Sequence, residues 1–342
     1  MKILITGGCG FVGSNIAIFL KKKLKKHTIY SLDNLFRKGS SVNKKRLVKE
    51  NIKNFNIDIA NYNRIIKLPK FDIIIDCCAE PAIGASSKNP DRVFNTNLIG
   101  TFNILKKCKR DKSNIIFLSS SRVYSIDKLR KLINKEKIKT PIKTKKKINE
   151  KFKTSLPSSL YGFSKLASEK LIKEIFFKTN LKYIINRFGV IAGPWQFGKQ
   201  DQGFTSLWIA RHILKKKLSY IGFGGNGHQV RDIIHIKDVC EIIFQQLRNL
   251  HKINNSTFNI GGGYKNSISL AQLTKKCEKL TNYKMKIGKI SKTSVFDIPY
   301  FVTDNTKISK TYLWKPKRNI DKILKDIFDW LSQNNNIIKY FK

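Results

Sequence analysis

The sequence is poor in acidic residues and lacks any long run of hydrophobic residues. Of its 342 residues only 23 are Asp or Glu, whereas 68 are Lys or Arg. A membrane-spanning helix needs about 20 consecutive apolar residues, and no stretch approaches that length, so we expect no membrane partner. The chain opens with Lys2 to Gly7, which is typical of a strand entering a glycine turn and not of a signal peptide. We therefore expect a cytoplasmic protein.

Cysteine is also scarce, and its spacing argues against two kinds of site. None of the six cysteines forms a C-x-x-C pair, and Cys77 and Cys78 are adjacent within an apolar run. We therefore expect neither a disulfide framework nor a metal site. Small buried side chains in a reducing compartment fit the pattern better. The cysteines are Cys9, Cys77, Cys78, Cys108, Cys240 and Cys277.

The excess of positive charge, formally +45, would ordinarily indicate a nucleic-acid partner. No basic stripe is interleaved with the aromatic side chains that stack on single strands, however. The lysines form short runs, such as 21–23 and 145–147, on expected solvent faces. Abundant Lys, Ile, Asn and Phe together are typical of an AT-rich genome. We expect no nucleic-acid binding, although the charge favours anionic ligands such as a nucleoside diphosphate.

The first half of the chain alternates short apolar runs with amphipathic stretches, which is the pattern of βαβ units around a parallel sheet. The predicted fold is α/β, a Rossmann-type doubly wound parallel sheet with a smaller C-terminal substrate-binding lobe. The sheet domain is expected to span 1–188 with a return near 233–262, and the lobe to span 189–232 and 263–342. Residues 125–157 read as a Lys-rich, solvated surface insertion with a helical piece. Predicted strands are 2–6, 28–32, 53–57, 71–77, 114–119, 182–188 and 257–260, and predicted helices are 11–24, 62–67, 91–107 and 159–178.

Three glycines, Gly7, Gly10 and Gly13, form G-x-x-G-x-x-G directly after the first strand and at the start of a helix. They allow a tight turn and let the backbone approach a pyrophosphate, for which the helix N-terminus supplies unpaired N–H groups. Asp33 ends the second strand, about 20 residues further on. A carboxylate there accepts hydrogen bonds from ribose hydroxyls and repels a 2′-phosphate, which favours NAD over NADP. The basic residues at 37 and 38 weaken this preference slightly.

A second motif, Y-x-x-x-K, is formed by Tyr161 and Lys165. Residues i and i+4 share one face of a helix, so the two side chains can lie together. The neighbouring cation is expected to lower the pKa of the phenol from about 10. A phenolate can take a proton from a substrate hydroxyl while hydride leaves the same carbon for a nicotinamide. The preceding strand ends in serines 119–121, which can supply a hydroxyl to hold the substrate oxygen.

Together these motifs resemble the extended short-chain dehydrogenase/reductase family of NAD-dependent nucleotide-sugar epimerases and dehydratases, over essentially the whole chain. The resemblance makes Ser120, Tyr161 and Lys165 the catalytic residues. It implies a diphosphate-binding Arg at Arg231, for which an ion pair with Asp232 or another neighbour is the alternative. The implied cofactor contacts are Gly7, Gly10, Phe11, Val12, Gly13, Asp33, Asn34, Asp58, Ile59, Cys78, Ala79, Asn97, Tyr161 and Lys165. The implied substrate contacts are Ser121, Arg122, Asn186, Gln196, Gln202 and Arg231.

Two of the implied cofactor contacts, Asp58 and Asn97, also have a structural interpretation. Asp58 ends the third strand, where an adenine ring would lie. It either accepts a hydrogen bond from the adenine amine or caps the N-terminus of the following helix. Asn97 is expected to help hold the sheet and Lys165. Three stretches at and after the start of the second lobe, 186–197, 201–203 and 222–227, are similar to the CDP-paratose 2-epimerase branch of the family. The aromatic residues there offer apolar faces to a substrate or pack in the core.

The sequence also departs from the family pattern. Dehydratases carry Asp-Glu after the catalytic hydroxyl residue to remove water, and Ser121 and Arg122 stand at those positions, so we discount dehydration. The family's fourth-strand pattern begins with His and ends with Gln, and this sequence has Asp76 and Glu80 at those two positions. This change alters the contacts expected near the nicotinamide.

The favoured reaction is inversion of one sugar carbon without net oxidation. Tyr161, helped by Ser120, removes the proton of the C2 hydroxyl, a transient keto-sugar forms, and hydride returns to the other face. One alternative is a 4-epimerase or other oxidoreductase acting on a nucleotide-linked sugar. Another is a non-catalytic dinucleotide- or RNA-binding protein on the same fold, against which the intact catalytic residues argue. The resemblance also implies a homodimer formed through the helices at 91–107 and 159–178.

Overall fold

The computed structural model describes residues 1–81, 89–133, 137–199 and 202–341. These residues divide into two compact units, each assembled from three segments of the chain. The first unit comprises 1–123, 159–187 and 239–258, and the second comprises 124–158, 188–238 and 259–342.

The first unit is built on a parallel sheet, which confirms the predicted α/β class. Its strands are β1 Lys2–Thr6, β2 Thr28–Leu32, β3 Lys53–Phe55, β4 Ile73–Asp76, β5 Asn114–Ser120, β6 Tyr183–Phe188 and β10 Ser256–Ile260. The seven strands lie in the order β10-β6-β5-β4-β1-β2-β3. The central strand β1 pairs in parallel with β2 and with β4. Ile3, Leu4 and Ile5 are fully buried, as are Ile74 and Ile75, because helices cover both faces of such a sheet.

Helices connect these strands. They are α1 Phe11–Lys23, α2 Ser40–Lys49, α3 Tyr62–Ile65, α4 Pro90–Phe94, α5 Gly100–Asp111, α7 Leu160–Phe176 and α9 Ile236–Asn249. The predicted single helix at 91–107 is instead α4, a π-helical turn at Asn95–Ile99 and α5. Such turns are frequent at functional sites. Helix α2 was not predicted, because its buried residues, Ser40, Asn43 and Leu47, include only one apolar side chain to mark a periodic stripe.

The second unit contains a smaller sheet centred on β9 Val230–His235. Strands β7 Val190–Ala192 and β13 Tyr300–Phe301 pair with it in parallel, and β11 Ser267–Ser269 pairs with it antiparallel. Strands β8 Ser219–Ile221 and β12 Gly288–Ile290 form a separate parallel pair. The helices of this unit are α6 Ile126–Lys131, α8 Phe204–Ile213, α10 Leu270–Thr281, α11 Thr306–Tyr312, α12 Ile320–Ser332 and α13 Asn335–Ile338. Short single turns lie at Ser121–Val123 in the first unit and at Tyr264–Asn266 and Lys339–Phe341 in the second.

The segment 124–158 differs from its prediction. It was expected to be a solvated insertion in the sheet domain, but it clusters with the second unit. Ile148 donates a backbone hydrogen bond to Val302 at 2.8 Å, and the buried Tyr124 hydroxyl donates to Asn259 Oδ1 at 2.7 Å. Ile138 is 2% exposed. Hydrophobic periodicity in this Lys-rich stretch does not reveal these contacts, because each is made by a single side chain or a single backbone group.

Among the described residues, no helix combines the length and the apolar character that a bilayer crossing demands.

Candidate functional site

The glycine loop between β1 and α1 is shaped for close approach of a ligand. The N–H of Gly10 donates to the carbonyl of Gly7 at 2.9 Å, which closes the turn. A Cβ on Gly13 would lie 2.3 Å from that carbonyl oxygen, so only glycine lets the helix pack this tightly on the strand. A Cβ on Gly10 would meet only the Gly7 oxygen, at 3.0 Å, and would otherwise fill open space. That space, in front of the uncapped first turn at Phe11 and Val12, suits a pyrophosphate.

Asp33 lies beside this loop. Its carboxylate accepts from the N–H of Cys9 at 3.0 Å and from the N–H of Leu35 at 2.8 Å. Burial raises the pKa of Asp33, and these backbone hydrogen bonds oppose the rise. A carboxylate held at the end of β2, next to the glycine loop, is placed as the ribose-binding residue of dinucleotide sites.

Asn34 and Asp58 meet on the outer side of Asp33. Asn34 Nδ2 donates to Asp58 Oδ2 at 2.7 Å, and the N–H of Ala60 donates to Asp58 Oδ1 at 2.8 Å. Asp58 does not cap the next helix, because Asn61 does so, accepting from the N–H of Arg64. Ile59 is buried, and its carbonyl accepts from Asn103 Nδ2 at 3.2 Å. An open surface depression here is lined by Asp58, Ala60, Asn61, Tyr62 and Asn63.

The three predicted catalytic residues lie in the first unit and are brought together. Ser120 ends β5, and its Oγ accepts from the N–H of Arg122 at 3.2 Å. Tyr161 lies in the first turn of α7, which begins where Ser159 accepts from the N–H of Gly162 at 3.1 Å. The Ser120 side chain lies close enough to Tyr161 to lower the pKa of its phenol. One turn further along α7, Lys165 is 1% exposed.

The pKa of Tyr161 corrects one expectation. We predicted that Lys165 would lower it, but burial raises the pKa of Tyr161 above its usual 10.0. The hydrogen bond from Ser120 and the positive charge of Arg122 act in the opposite direction. The phenolate in this site is therefore supported by Ser120 and Arg122 against a desolvation cost.

Lys165 is surrounded by groups that stabilise its charge. Burial lowers the pKa of Lys165, while the charge of Asp76 raises it most among the neighbouring groups. Its ammonium nitrogen also lies 4.1 Å from the centre of the Phe117 ring. Asp76 is fully buried and is held by the hydroxyls of Thr6 at 2.5 Å and Thr101 at 3.3 Å. The buried carboxylate that replaces the family histidine thus supports the charged form of Lys165.

Sequence reasoning missed Glu169. It is 1% exposed and accepts from Ser119 Oγ at 2.5 Å. Its two oxygens also accept from Arg187, with N–O distances of 2.7 to 3.1 Å. This buried ion pair ties α7 to the ends of β5 and β6. The signal was present in the sequence, since Glu169 continues the i, i+4 spacing of Tyr161 and Lys165 on one helix face.

Asn97 links two parts of the site. Its Oδ1 accepts from the N–H of Glu80 at 2.8 Å, and its Nδ2 donates to the Glu80 carbonyl at 3.2 Å. The same Nδ2 donates to Ser164 Oγ at 3.1 Å, one residue before Lys165. The predicted structural role of Asn97 fits these contacts. Cys78 donates its N–H to Thr6 Oγ1 at 3.3 Å, so Cys78 and Ala79 follow β4 beside the glycine loop.

Two predicted substrate contacts are engaged internally. Asn186 is fully buried, and it exchanges two hydrogen bonds with Gln246 at 2.7 and 2.8 Å. Gln196 donates to the carbonyl of Ile191 at 3.0 Å and accepts from Ser206 at 2.9 Å. Both amide atoms of each residue are therefore engaged within the protein, those of Asn186 by a side chain and those of Gln196 by one backbone group and one side chain.

The contacts and positions of the remaining predicted substrate residues differ from one another. Arg231 pairs with Asp297 at 3.0 Å and donates to the Ile298 carbonyl at 2.7 Å. These contacts fit the alternative in which Arg231 forms an ion pair with a neighbouring residue. Ser121 and Arg122 lie in the single turn after β5. The backbone of Gln202 accepts a hydrogen bond from the N–H of Lys199 at 2.6 Å and donates one to the Lys199 carbonyl at 3.2 Å. Asp201 lies outside the described residues.

The chain is similar to known proteins both in sequence and in structure. The sequence model of the NAD dependent epimerase/dehydratase family matches residues 3–261. The chain is 32% identical to a CDP-paratose 2-epimerase of Salmonella typhi, over 97% of this chain and 99% of that protein. A UDP-glucose 4-epimerase of Thermotoga maritima, solved with UDP-glucose, has a TM-score of 0.82 at 24% identity, covering 98% of this chain and 100% of that one. A dTDP-glucose 4,6-dehydratase of Bacillus anthracis, solved with NAD, has a TM-score of 0.81 at 24% identity and full coverage of both chains.

Proposed function

The chain belongs to the NAD dependent epimerase/dehydratase family, and we propose that it inverts one carbon of a nucleotide-linked sugar while keeping NAD bound. The observation that carries this proposal is the grouping of Ser120, Tyr161 and Lys165 in the unit that also holds the glycine loop and Asp33. The open space at Gly10 and the carboxylate of Asp33 fit a dinucleotide. We infer that the predicted cofactor contacts hold NAD.

The mechanism assigns each step to a residue of this chain. When bound, NAD supplies the acceptor for the hydride that leaves the sugar carbon and the donor that returns it. Tyr161 removes the proton from the sugar hydroxyl, and Ser120 holds the same oxygen. Arg122 favours the phenolate form of Tyr161 by its charge. When the keto-sugar is reduced from its other face, Tyr161 returns the proton.

Two observations narrow the reaction within the family. The acid and base that dehydratases carry are replaced by Ser121 and Arg122, so elimination of water is not supported. The 32% identity to a CDP-paratose 2-epimerase over nearly the full length favours inversion at C2 of a CDP-linked sugar. A 4-epimerase acting on a UDP-sugar is the second candidate, because a UDP-glucose 4-epimerase of Yersinia pestis is 27% identical over 98% of this chain.

The test is incubation of the purified protein with CDP-paratose, without added reductant, followed by NMR of the sugar protons. Conversion to CDP-tyvelose supports both bound NAD and C2 inversion. If nothing changes although NAD is released on denaturation, the C2 assignment fails, and UDP-, GDP- and dTDP-sugars are tried next. The Tyr161→Phe variant serves as the control. It should lose about 10²- to 10⁴-fold in turnover while retaining NAD, and an active variant would refute the catalytic assignment.

We further propose that the protein is a homodimer of the cytoplasm. Phe94 on α4, Phe102 on α5 and Phe163 on α7 each expose more than a third of their surface, at 40%, 38% and 43%. These aromatic side chains lie on the helices predicted to pair. A second copy of the chain could cover them, since exposed apolar patches mark association surfaces.

A further inference from the structure

One cluster of charges in the first unit is not used by the mechanism. Glu80 is 5% exposed, and its carboxylate lies between two guanidinium groups. Arg37 Nη1 is 2.5 Å from Glu80 Oε1, and Arg92 Nε is 3.1 Å from Glu80 Oε2. Arg92 also stacks on the ring of Phe36, with its guanidinium carbon 3.1 Å from the ring centre. A single buried carboxylate therefore holds two cations in place.

The cluster lies at the carboxyl ends of the strands, the side of the sheet on which the dinucleotide is proposed to bind. Strands β2 and β4 are the two neighbours of β1, whose carboxyl end carries the glycine loop. Arg37 follows β2 by five residues, and Glu80 follows β4 by four. The Arg37–Glu80 ion pair thus joins the two segments that flank the glycine loop. The backbone of Glu80 is itself fixed on both sides by Asn97.

Arg37 has the position and chemistry of a 2′-phosphate ligand. It lies four residues beyond Asp33, and an arginine near the ribose carboxylate is the usual means of accommodating the 2′-phosphate of NADP. Guanidinium groups bind phosphate through paired, charge-assisted hydrogen bonds. In this structure the Arg37 guanidinium forms an ion pair with Glu80. Glu80 adds a second negative charge to that of Asp33.

We propose that Glu80 sets the preference of this site for NAD over NADP, by engaging Arg37 and so keeping its guanidinium from a 2′-phosphate. The inference rests on the proposed use of NAD. It goes beyond that proposal because it assigns the selectivity to a residue distant in sequence from Asp33. The neutral Gln that the family pattern has at this position could not form the same ion pairs.

The experiment measures which nucleotide the protein retains. Purified protein is equilibrated with equal, saturating NAD⁺ and NADP⁺ and desalted, and the nucleotides released by denaturation are quantified by mass spectrometry. For Glu80→Gln the retained ratio of NADP⁺ to NAD⁺ should rise about tenfold, as expected for one gained charge-assisted contact. The double variant Glu80→Gln with Arg37→Gln should return the ratio to its original value.

A second double variant guards against misfolding and against a general charge effect. Glu80→Gln with Arg92→Gln removes one charge of each sign, so it keeps the net charge of the cluster while releasing Arg37. It should show the same rise as Glu80→Gln alone. An unchanged ratio in this variant, or a rise that persists without Arg37, overturns the proposal. If the unaltered protein retains neither nucleotide, the proposed function fails instead, so the two failures are distinguishable.

Discussion

Replacing Glu169 by Gln should destabilise the protein strongly, because it leaves a buried cation without its partner. Arg187 is 7% exposed, and both oxygens of Glu169 accept hydrogen bonds from it. Removing one partner of a buried ion pair costs about 3–5 kcal/mol of unfolding free energy, since the remaining charge stays desolvated. Ser119 also loses a charged acceptor at 2.5 Å. The expected loss is therefore in the upper part of that range.

The assay is equilibrium urea unfolding, with the slope of the transition checked for equality between variants. Glu174→Gln is the matched control, because Glu174 lies exposed on the same helix, and it should change the unfolding free energy by no more than about 0.5 kcal/mol. The double replacement Glu169→Met with Arg187→Leu should recover most of the loss, since well-packed apolar side chains can substitute for a buried pair. A loss below about 1 kcal/mol for Glu169→Gln would show that water reaches Arg187 and would refute the reasoning.

Three further predictions concern pH and assembly. Ser120→Ala removes the hydrogen bond that lowers the pKa of Tyr161, so the rising limb of the pH–rate profile should move to higher pH; a move to lower pH would contradict the assignment. Burial lowers the pKa of His235 from 6.5 to about 4. The folded state therefore binds fewer protons than the unfolded state between these values, and urea unfolding should show stability falling by about 3 kcal/mol as pH decreases across that window, with a flatter profile for His235→Asn. Phe102→Glu should shift the protein toward monomer in light scattering, and a wild-type protein that is already monomeric would exclude the proposed dimer.

Local spacing accounts for the parts of the site that could be predicted. Spacing alone predicts the geometry of three features: the glycine loop, Asp33 and the Tyr161–Lys165 pair. The residues that form each of them lie within one helical turn or one βαβ unit. The ion pair of Arg37 with Glu80 joins residues 43 positions apart. It becomes visible only when the strand order places β2 and β4 on either side of β1.

Two other differences between prediction and structure arise from hydrogen-bond partners and burial. Asn186 and Gln196 looked suited to a sugar because amides are versatile, yet neighbouring groups satisfy their hydrogen bonds internally. The Tyr161 pKa was predicted in the wrong direction, because spacing reveals a nearby lysine but does not reveal how much water burial removes. Sequence patterns thus indicate which side chains are neighbours, while desolvation and competing partners require coordinates.

The division of each unit among three chain segments has a consequence for biosynthesis. During translation the sheet of the first unit can grow as far as β6, but its outermost strand β10 begins about 70 residues later. At about 5–20 residues per second the ribosome needs roughly 4–14 s to deliver that strand. For that interval the β6 edge presents unpaired backbone groups, which are a template for association with other nascent chains. The seconds between the synthesis of β6 and that of β10 are therefore when a chaperone would protect this protein most.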